Sequence, residues 1–384
     1  MASTGGAASD CSLPALPVSP PSVGGQQSAP DRARFGPVRL VRRRLCCREC
    51  GRHFQPDDAA LGALLGGGQC TRMLRELAAQ CGASWPYRQA ARVVALLRGA
   101  PLATETIRRI VAQAGQAVAG QYAREAVVVC QPPATVPPPT QSPAAVEILL
   151  DGAWVHSWDN AHGMEIKVGV VHTGSEGCGR TRTRLTARRY AATAAGVTTF
   201  GPLVTAAIDH LHGVTSPQQT LLGDGAAWIW RLGAEIVPAA TQVLDRWHLR
   251  DARRRATRAA VPDKAARQPW SIRLEQACDR GAVAEAIAIL AEMTRQYPHP
   301  ALSEFVRYLH THAQRIPNYT ARQEAGATIG SGAVEKGVDI VVNRRLKGRR
   351  GMRWWRARAD GVVALRLAIL NEEWTQRLPA ALTA

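Results

Sequence analysis

Three acidic residues stand where divalent-metal phosphodiester chemistry needs them. Asp151 follows the apolar run Val146-Glu-Ile-Leu-Leu150, and Asp224 follows a second run, Thr220-Leu-Leu-Gly223. Glu335 lies in Ser331-Gly-Ala-Val-Glu-Lys336, at the head of a predicted helix. Hard carboxylate oxygens suit Mg2+ or Mn2+ and leave positions for water and phosphate. Gly225 after Asp224 permits a sharp strand-to-helix turn, which leaves the carboxylate at the C-terminal end of a sheet, where α/β folds bind ligands. Asp151-Gly152 repeats the pattern, although an Asp-Gly pair taken alone is more often a turn signal. Asp159, eight residues on, is the alternative to Asp151. Helical spacing places Glu335 on a stripe with Val338, Val342 and Leu346, so its carboxylate is expected on the face that packs on the sheet. The competing reading is a helix-start glutamate held by the macrodipole.

The elements that must position these residues change character along the chain. Residues 146–156 and 164–172 read as strands, the second alternating Met164, Ile166, Val168 and Val170 against Glu165, Lys167 and Gly169. A third strand is expected at 183–190, a helix at 199–212, buried strands at 219–223 and 241–244, and helices from 249 to about 323. Strands first, then strands alternating with helices, predict an α/β fold with a mixed sheet. Before them, 71–80, 87–97 and 104–122 follow helical spacing. The turn Gly99-Ala-Pro101, with Thr104, Thr106, Arg108 and Arg109 early in the next helix, resembles a DNA-reading helix-turn-helix, and a plain helical hairpin would look the same.

With 384 residues, 46% of them hydrophobic, the chain can bury a full core. The composition predicts a disordered Ser/Gly/Ala/Pro-rich tail at 1–33, a basic Cys-bearing segment at 34–60 and a small helical DNA-binding module at 61–130. A Pro-rich linker at 131–145 and an α/β domain at 146–375 follow, with a helical insertion over about 250–325 and a short tail at 376–384. The net charge of +18 makes a polyanion the natural partner. Arg32 to Arg52 holds eight arginines against one acid, Arg246 to Arg258 six against one, and Lys336 to Arg358 nine basic residues against one. Any one run is equally well a solvated face, and three together favour phosphate tracking. No apolar stretch approaches the roughly 20 residues of a membrane span, and the amino terminus lacks a secretory pattern, so a soluble cytoplasmic protein is expected. Nine cysteines, with Cys46, Cys47 and Cys50 crowded together, suit a metal site in a reducing compartment better than a disulfide framework.

The stretches Val41-Arg-Arg-Arg-Leu-Cys-Cys-Arg-Glu-Cys-Gly-Arg-His-Phe-Gln-Pro56, Leu222-Gly-Asp-Gly-Ala-Ala-Trp228, Leu244-Asp-Arg-Trp-His-Leu249, Gly330-Ser-Gly-Ala-Val-Glu335 and Arg345-Leu-Lys-Gly-Arg-Arg-Gly-Met-Arg-Trp354 stand in this order. Together they resemble a bacterial insertion-sequence transposase of the DDE class, most closely the ISKra group. The resemblance implies an RNase H-like core with Asp151, Asp224 and Glu335 as the acidic triad holding two Mg2+ or Mn2+ ions. It matches Asp245-Arg-Trp-His248 to an Asp-x-x-His motif between the second and third acids, giving Asp245 and His248 a supporting role. Outside the resemblance, His248 is an ordinary structural or surface histidine. The implied DNA contacts are Arg108, Arg109, Arg344, Arg345, Lys347, Arg349, Arg350, Arg353 and Trp354, with core packing the alternative for Trp354 and its neighbour Trp355.

Cys47 and Cys50 form half of a zinc knuckle. The family's usual upstream Cys-x-x-Cys is missing, with only Cys11 there, so Zn2+ and a degenerate remnant both stand. The implied activity is metal-dependent cleavage at the element's ends and transfer of the freed 3′-hydroxyls into target DNA, with no covalent protein intermediate. The partners are double-stranded DNA, as terminal inverted repeats and target, and further copies of the chain in a synaptic homo-oligomer. Alternatives are a catalytically inactive transposase-derived DNA-binding regulator and a metal-dependent nuclease without strand transfer.

Overall fold

The computed structural model describes residues 23–33, 36–46, 53–54, 70–98, 101–130, 142–177, 183–348 and 351–383. The chain divides into two compact units, Met1–Leu74 and Arg75–Ala384. In the first, β1 (Val23–Ala33), β2 (Gly36–Cys46) and β3 (His53–Phe54) form an antiparallel sheet in that order. β1 lies inside the stretch whose composition predicted a disordered tail. Its register runs from Ala33 opposite Gly36 to Val23 opposite Leu45. The partner strand supplies the pairing, which the composition of 23–33 does not announce.

Helix α1 (Arg72–Ser84) spans the division at Leu74, and α2 (Tyr87–Arg98) and α3 (Thr104–Cys130) follow in the second unit. The strands that follow are β4 (Ala145–Val155), β5 (Met164–His172), β6 (Ser175–Gly177), β7 (Thr183–Leu185) and β8 (Arg188–Thr193), and then comes α4 (Val197–His210). β9 (Gln218–Gly223), α5 (Ala227–Ile236) and β10 (Thr241–Leu244) complete the sheet region. Helices α6 (Arg246–Ala260), α7 (Lys264–Asp279), α8 (Val283–Gln296), α9 (Pro300–His312) and α10 (Tyr319–Glu324) lie between β10 and the last elements. Those are α11 (Gly332–Val338), a π-turn at Asp339–Asn343, α12 (Arg344–Leu346), α13 (Arg356–Leu370) and α14 (Trp374–Thr383). The fold is therefore α/β, with a mixed five-stranded sheet in the order β10-β9-β4-β5-β8. The single strand expected at 183–190 is two, β7 and β8, which belong to different sheets.

β5 is buried along almost its whole length because helices cover both faces of the sheet. On one face, Phe200 and Val204 of α4 lie against Gly169. On the other, α11 comes so close that a Cβ on Gly337 would meet Val170 at 2.7 Å. β4 joins an antiparallel half with β5 and β8 to a parallel half with β9 and β10.

The helical module expected at 61–130 is not a separate body. α3 is 27 residues long and crosses α13 backbone to backbone, where a Cβ on Gly115 would meet the Gly361 carbonyl oxygen at 2.5 Å. Tyr122 at its far end donates to Glu373 at 2.6 Å, and Arg377 pairs with both Glu125 and Glu373. Contacts more than 240 residues apart in the chain tie this helix to the sheet unit, so the proline-rich stretch is not a domain boundary. Its residues 131–141 lie outside the described residues.

Candidate active site

Parallel register puts three aspartates at one level. Leu149 of β4 is opposite Leu222 of β9, and Gly223 of β9 is opposite Leu244 of β10. Continuing each ladder brings Asp151, Asp224 and Asp245 side by side at the C-terminal edge of the parallel half, on strands about 4.8 Å apart. Asp151 lies inside its strand, within the expected bounds of 146–156, and does not close it as Asp224 closes β9. β4 runs on to Val155, because its antiparallel partner β5 still pairs with it after β9 has stopped. Asp151 is opposite Val168, and directly opposed residues share a face, so its carboxylate is on the α11 side. Asp159 is elsewhere, beyond β4, with Oδ2 accepting from the Arg356 backbone at 2.5 Å.

Asp224 leaves β9 into a turn in which Gly225 has φ +108°, backbone that a side chain disfavours. Its Oδ1 accepts from the Ala226 N–H at 2.9 Å, which fixes the carboxylate at the turn. Asp245 is fully buried and caps α6: Oδ1 accepts from Trp247 N–H at 3.1 Å, and its own N–H donates to the Gly223 carbonyl at 2.8 Å.

Glu335 reaches this row through a residue to which the sequence reading assigned no role. Buried Ser331 stands just before α11, with its hydroxyl 2.8 Å from Asp245 Oδ2 and 2.7 Å from Glu335 Oε1. The Ser331 N–H also donates to Asp245 Oδ1 at 3.2 Å. Its one hydroxyl hydrogen serves two carboxylates, one at a time. The only sign in the sequence was its place four residues before Glu335, one helical turn. Glu335 itself is exposed, not turned to the sheet with Val338, Val342 and Leu346, which are buried. The Ser331 hydroxyl draws the Glu335 carboxylate toward the helix start.

His248 Nδ1 lies 2.5 Å from Asp245 Oδ2. That hydrogen bond raises its pKa above the ordinary histidine value against the pull of burial, and the charges of Asp245, Asp224 and Asp151 add to it. Burial pushes the Asp151 carboxyl up to about 6, against the Gly152 N–H; Asp224 and Glu335 raise it further, and His248 opposes them. Asp151 thus feels both other acids and the imidazole. Tyr308 and His312 of α9 flank Gly225 on the Asp224 side.

Oxygen donors with this mutual repulsion are chemically suited to a divalent cation. The donor set is not closed, however: among the described residues no three His, Cys, Asp or Glu side chains gather into a group that could hold a metal. Cys47 and Cys50, the expected zinc ligands, lie outside the described residues.

The predicted DNA contacts separate into two classes. Arg345 and Trp354 are buried, which corrects their assignment. Arg345 donates to the Gly82 carbonyl at 2.8 Å and lies over the rings of Tyr87 and Trp354, while Trp354 Nε1 donates to the Leu346 carbonyl at 3.0 Å. Both were placed by a basic run that looks uniform in sequence but has one side turned into the core. Arg109, Arg344, Lys347 and Arg353 are exposed, with Arg344 paired to Asp339 and the half-buried Arg108 to Glu105. Arg349 and Arg350 lie outside the described residues. The run on α6 is partly spent within the protein: Arg246 pairs with Asp279, and Arg250 and Arg253 pair with Glu275. Among the described residues no helix is long and apolar enough to cross a membrane.

A family model described as an uncharacterised protein family (UPF0236) matches residues 32–370. Comparison with curated proteins gives no match.

Proposed function

We propose that this chain, which belongs to the uncharacterised protein family UPF0236, is a DNA strand transferase of the insertion-sequence DDE type, built on an RNase H-like core. The observation that carries this reading is the level placement of Asp151 and Asp224 on adjacent parallel strands, with the charge of Glu335 felt at Asp151. A mixed sheet with an antiparallel half, a parallel half and its acids at the C-terminal edge is the arrangement such a core needs.

Mg2+ or Mn2+ held by Asp151, Asp224 and Glu335 would supply Lewis-acid activation of the attacking oxygen and stabilisation of the leaving one. The chain's own residues do the rest. Asp245 and Ser331 hold Glu335 and His248 at the row, where the raised basicity of the imidazole suits it to face a phosphate. Arg109, Lys347 and Arg353, with Arg344 and Arg108, attract the DNA backbone. Water serves as nucleophile for cleavage, and the freed 3′-hydroxyl attacks target phosphodiester in line, releasing the target's own 3′-oxygen. Two DNA ends must be held together, so a homo-oligomer forms part of the proposal, as does Zn2+ at Cys47 and Cys50.

The second reading is a DNA-binding regulator without catalysis. Purified full-length protein, incubated with Mg2+ or Mn2+ and DNA carrying the repeats that flank its gene, separates them. Nicked and joined products that vanish in Asp224→Asn while DNA binding persists support the transferase. Binding with no cleavage under either ion selects the regulator, and cleavage without joined products selects a nuclease.

A further inference from the structure

The loop after β4 and the segment before α13 form a small parallel bridge, Ser157 opposite Trp354. Trp158 N–H donates to the Trp354 carbonyl at 3.0 Å, and Trp354 N–H donates to the His156 carbonyl at 3.1 Å. Side chains alternate across extended backbone, and here the alternation is clear. Ser157 and Trp354 point inward and are each 6% exposed, whereas Trp158 and Trp355 are 56% and 51% exposed. His156 and Arg353 share the outer side, and the Arg353 guanidinium lies 5.2 Å from the centre of the Trp158 ring.

Two neighbouring indoles are thus held in water on a bridged backbone, which a soluble surface does not require for its own stability. The surroundings name the occupant. Arg353 is exposed beside the rings, whereas the Arg356 guanidinium donates to the Ala194 carbonyl, and the nearby Asp159 carboxylate accepts from the Arg356 backbone. Aromatic faces interleaved with arginines bind unpaired nucleobases by stacking and their phosphates by charge. A duplex hides its base faces. The pair also lies on the continuation of β4 beyond Asp151, whose four further strand residues to Val155 cover about 13 Å.

We propose that Trp158 and Trp355 are a stacking platform for the unpaired bases of a single-stranded polynucleotide running from the carboxylate row. This deepens the nucleic-acid reading of that row and rests on it. The test is a binding measurement in EDTA, independent of strand cleavage. The full-length protein is titrated with a short fluorescein-labelled oligothymidylate, its RNA counterpart and a duplex. Expected are quenching of tryptophan fluorescence by the single strands and a loss of about fivefold to a hundredfold in their affinity for each of Trp158→Ala and Trp355→Ala. Duplex affinity should change by less than about twofold, and the Phe substitutions should retain most single-strand binding. Unquenched fluorescence, equal losses for duplex and single strand, or Ala variants that instead dissociate an oligomer in light scattering would overturn the platform. Wild-type protein that binds single strands but never cuts DNA with Mg2+ or Mn2+ defeats the transferase and leaves the platform standing.

Discussion

Ser331 and Asp245 are joined twice, by the serine N–H to Oδ1 at 3.2 Å and by the hydroxyl to Oδ2 at 2.8 Å, across 86 residues of chain. The same hydroxyl lies 2.7 Å from Glu335, so removing it frees the third acid and strips a partner from a buried carboxylate. Ser331→Ala is expected to cost about 1–3 kcal/mol in urea unfolding. It should also lower the rate of strand cleavage at saturating DNA while leaving DNA affinity unchanged. Ser331→Thr, which keeps the hydroxyl, should recover most of both; an Ala variant with wild-type stability would show that the bridge carries no weight.

Asp151 makes stability depend on pH in a stated direction. Its folded value of about 6 stands above the ordinary 3.8, so the fold prefers the protonated acid. The contribution is fully present below about pH 3.8 and is lost as pH rises through about 6, amounting to at most about 3 kcal/mol. The difference in unfolding free energy between Asp151→Asn and wild type should therefore shift in favour of the variant across that window and level off above it. At neutral pH, Mg2+ should raise the melting temperature of wild type and not of the Asn variant. A flat difference from pH 4 to pH 7 would remove the electrostatic argument.

The α3–α13 crossing predicts a failure that a free-standing helical module would not show. A Cβ on Gly115 meets backbone, the Gly361 carbonyl oxygen at 2.5 Å, and neither helix can yield by moving a side chain. Gly115→Ala should destabilise the whole second unit by about 1–3 kcal/mol, in a single transition followed by near-ultraviolet circular dichroism. Two separate transitions would indicate that the helices fold independently of the sheet.

Arg345 and Lys347 are two residues apart and should behave as different kinds of residue. Arg345→Ala leaves the Gly82 carbonyl without its donor and a cavity between Tyr87 and Trp354, so a loss of about 2–4 kcal/mol in stability is expected, with the salt dependence of DNA binding unchanged. Lys347→Ala should leave stability within about 0.5 kcal/mol and reduce the slope of log affinity against log salt by about one. Exchanged outcomes would return Arg345 to the DNA surface.

Local pattern was sufficient for much of the frame. The alternation of Met164 through His172 marks β5 at its observed bounds, and the short apolar run Thr241–Leu244 marks β10. Asp224 followed by Gly225 announced a strand-to-turn junction, because a positive φ is a demand on one residue and is written in that residue. These features depend on neighbours a few positions away. Which strands lie side by side, and in what register, depends on residues far apart in the chain. The level row of Asp151, Asp224 and Asp245, the Ser331 link between Asp245 and Glu335, the α3–α13 crossing and the inward turn of Arg345 therefore all waited on the tertiary structure. A buried arginine is distinguished from a phosphate-binding one by the carbonyl it meets, and for Arg345 that carbonyl is 263 residues away.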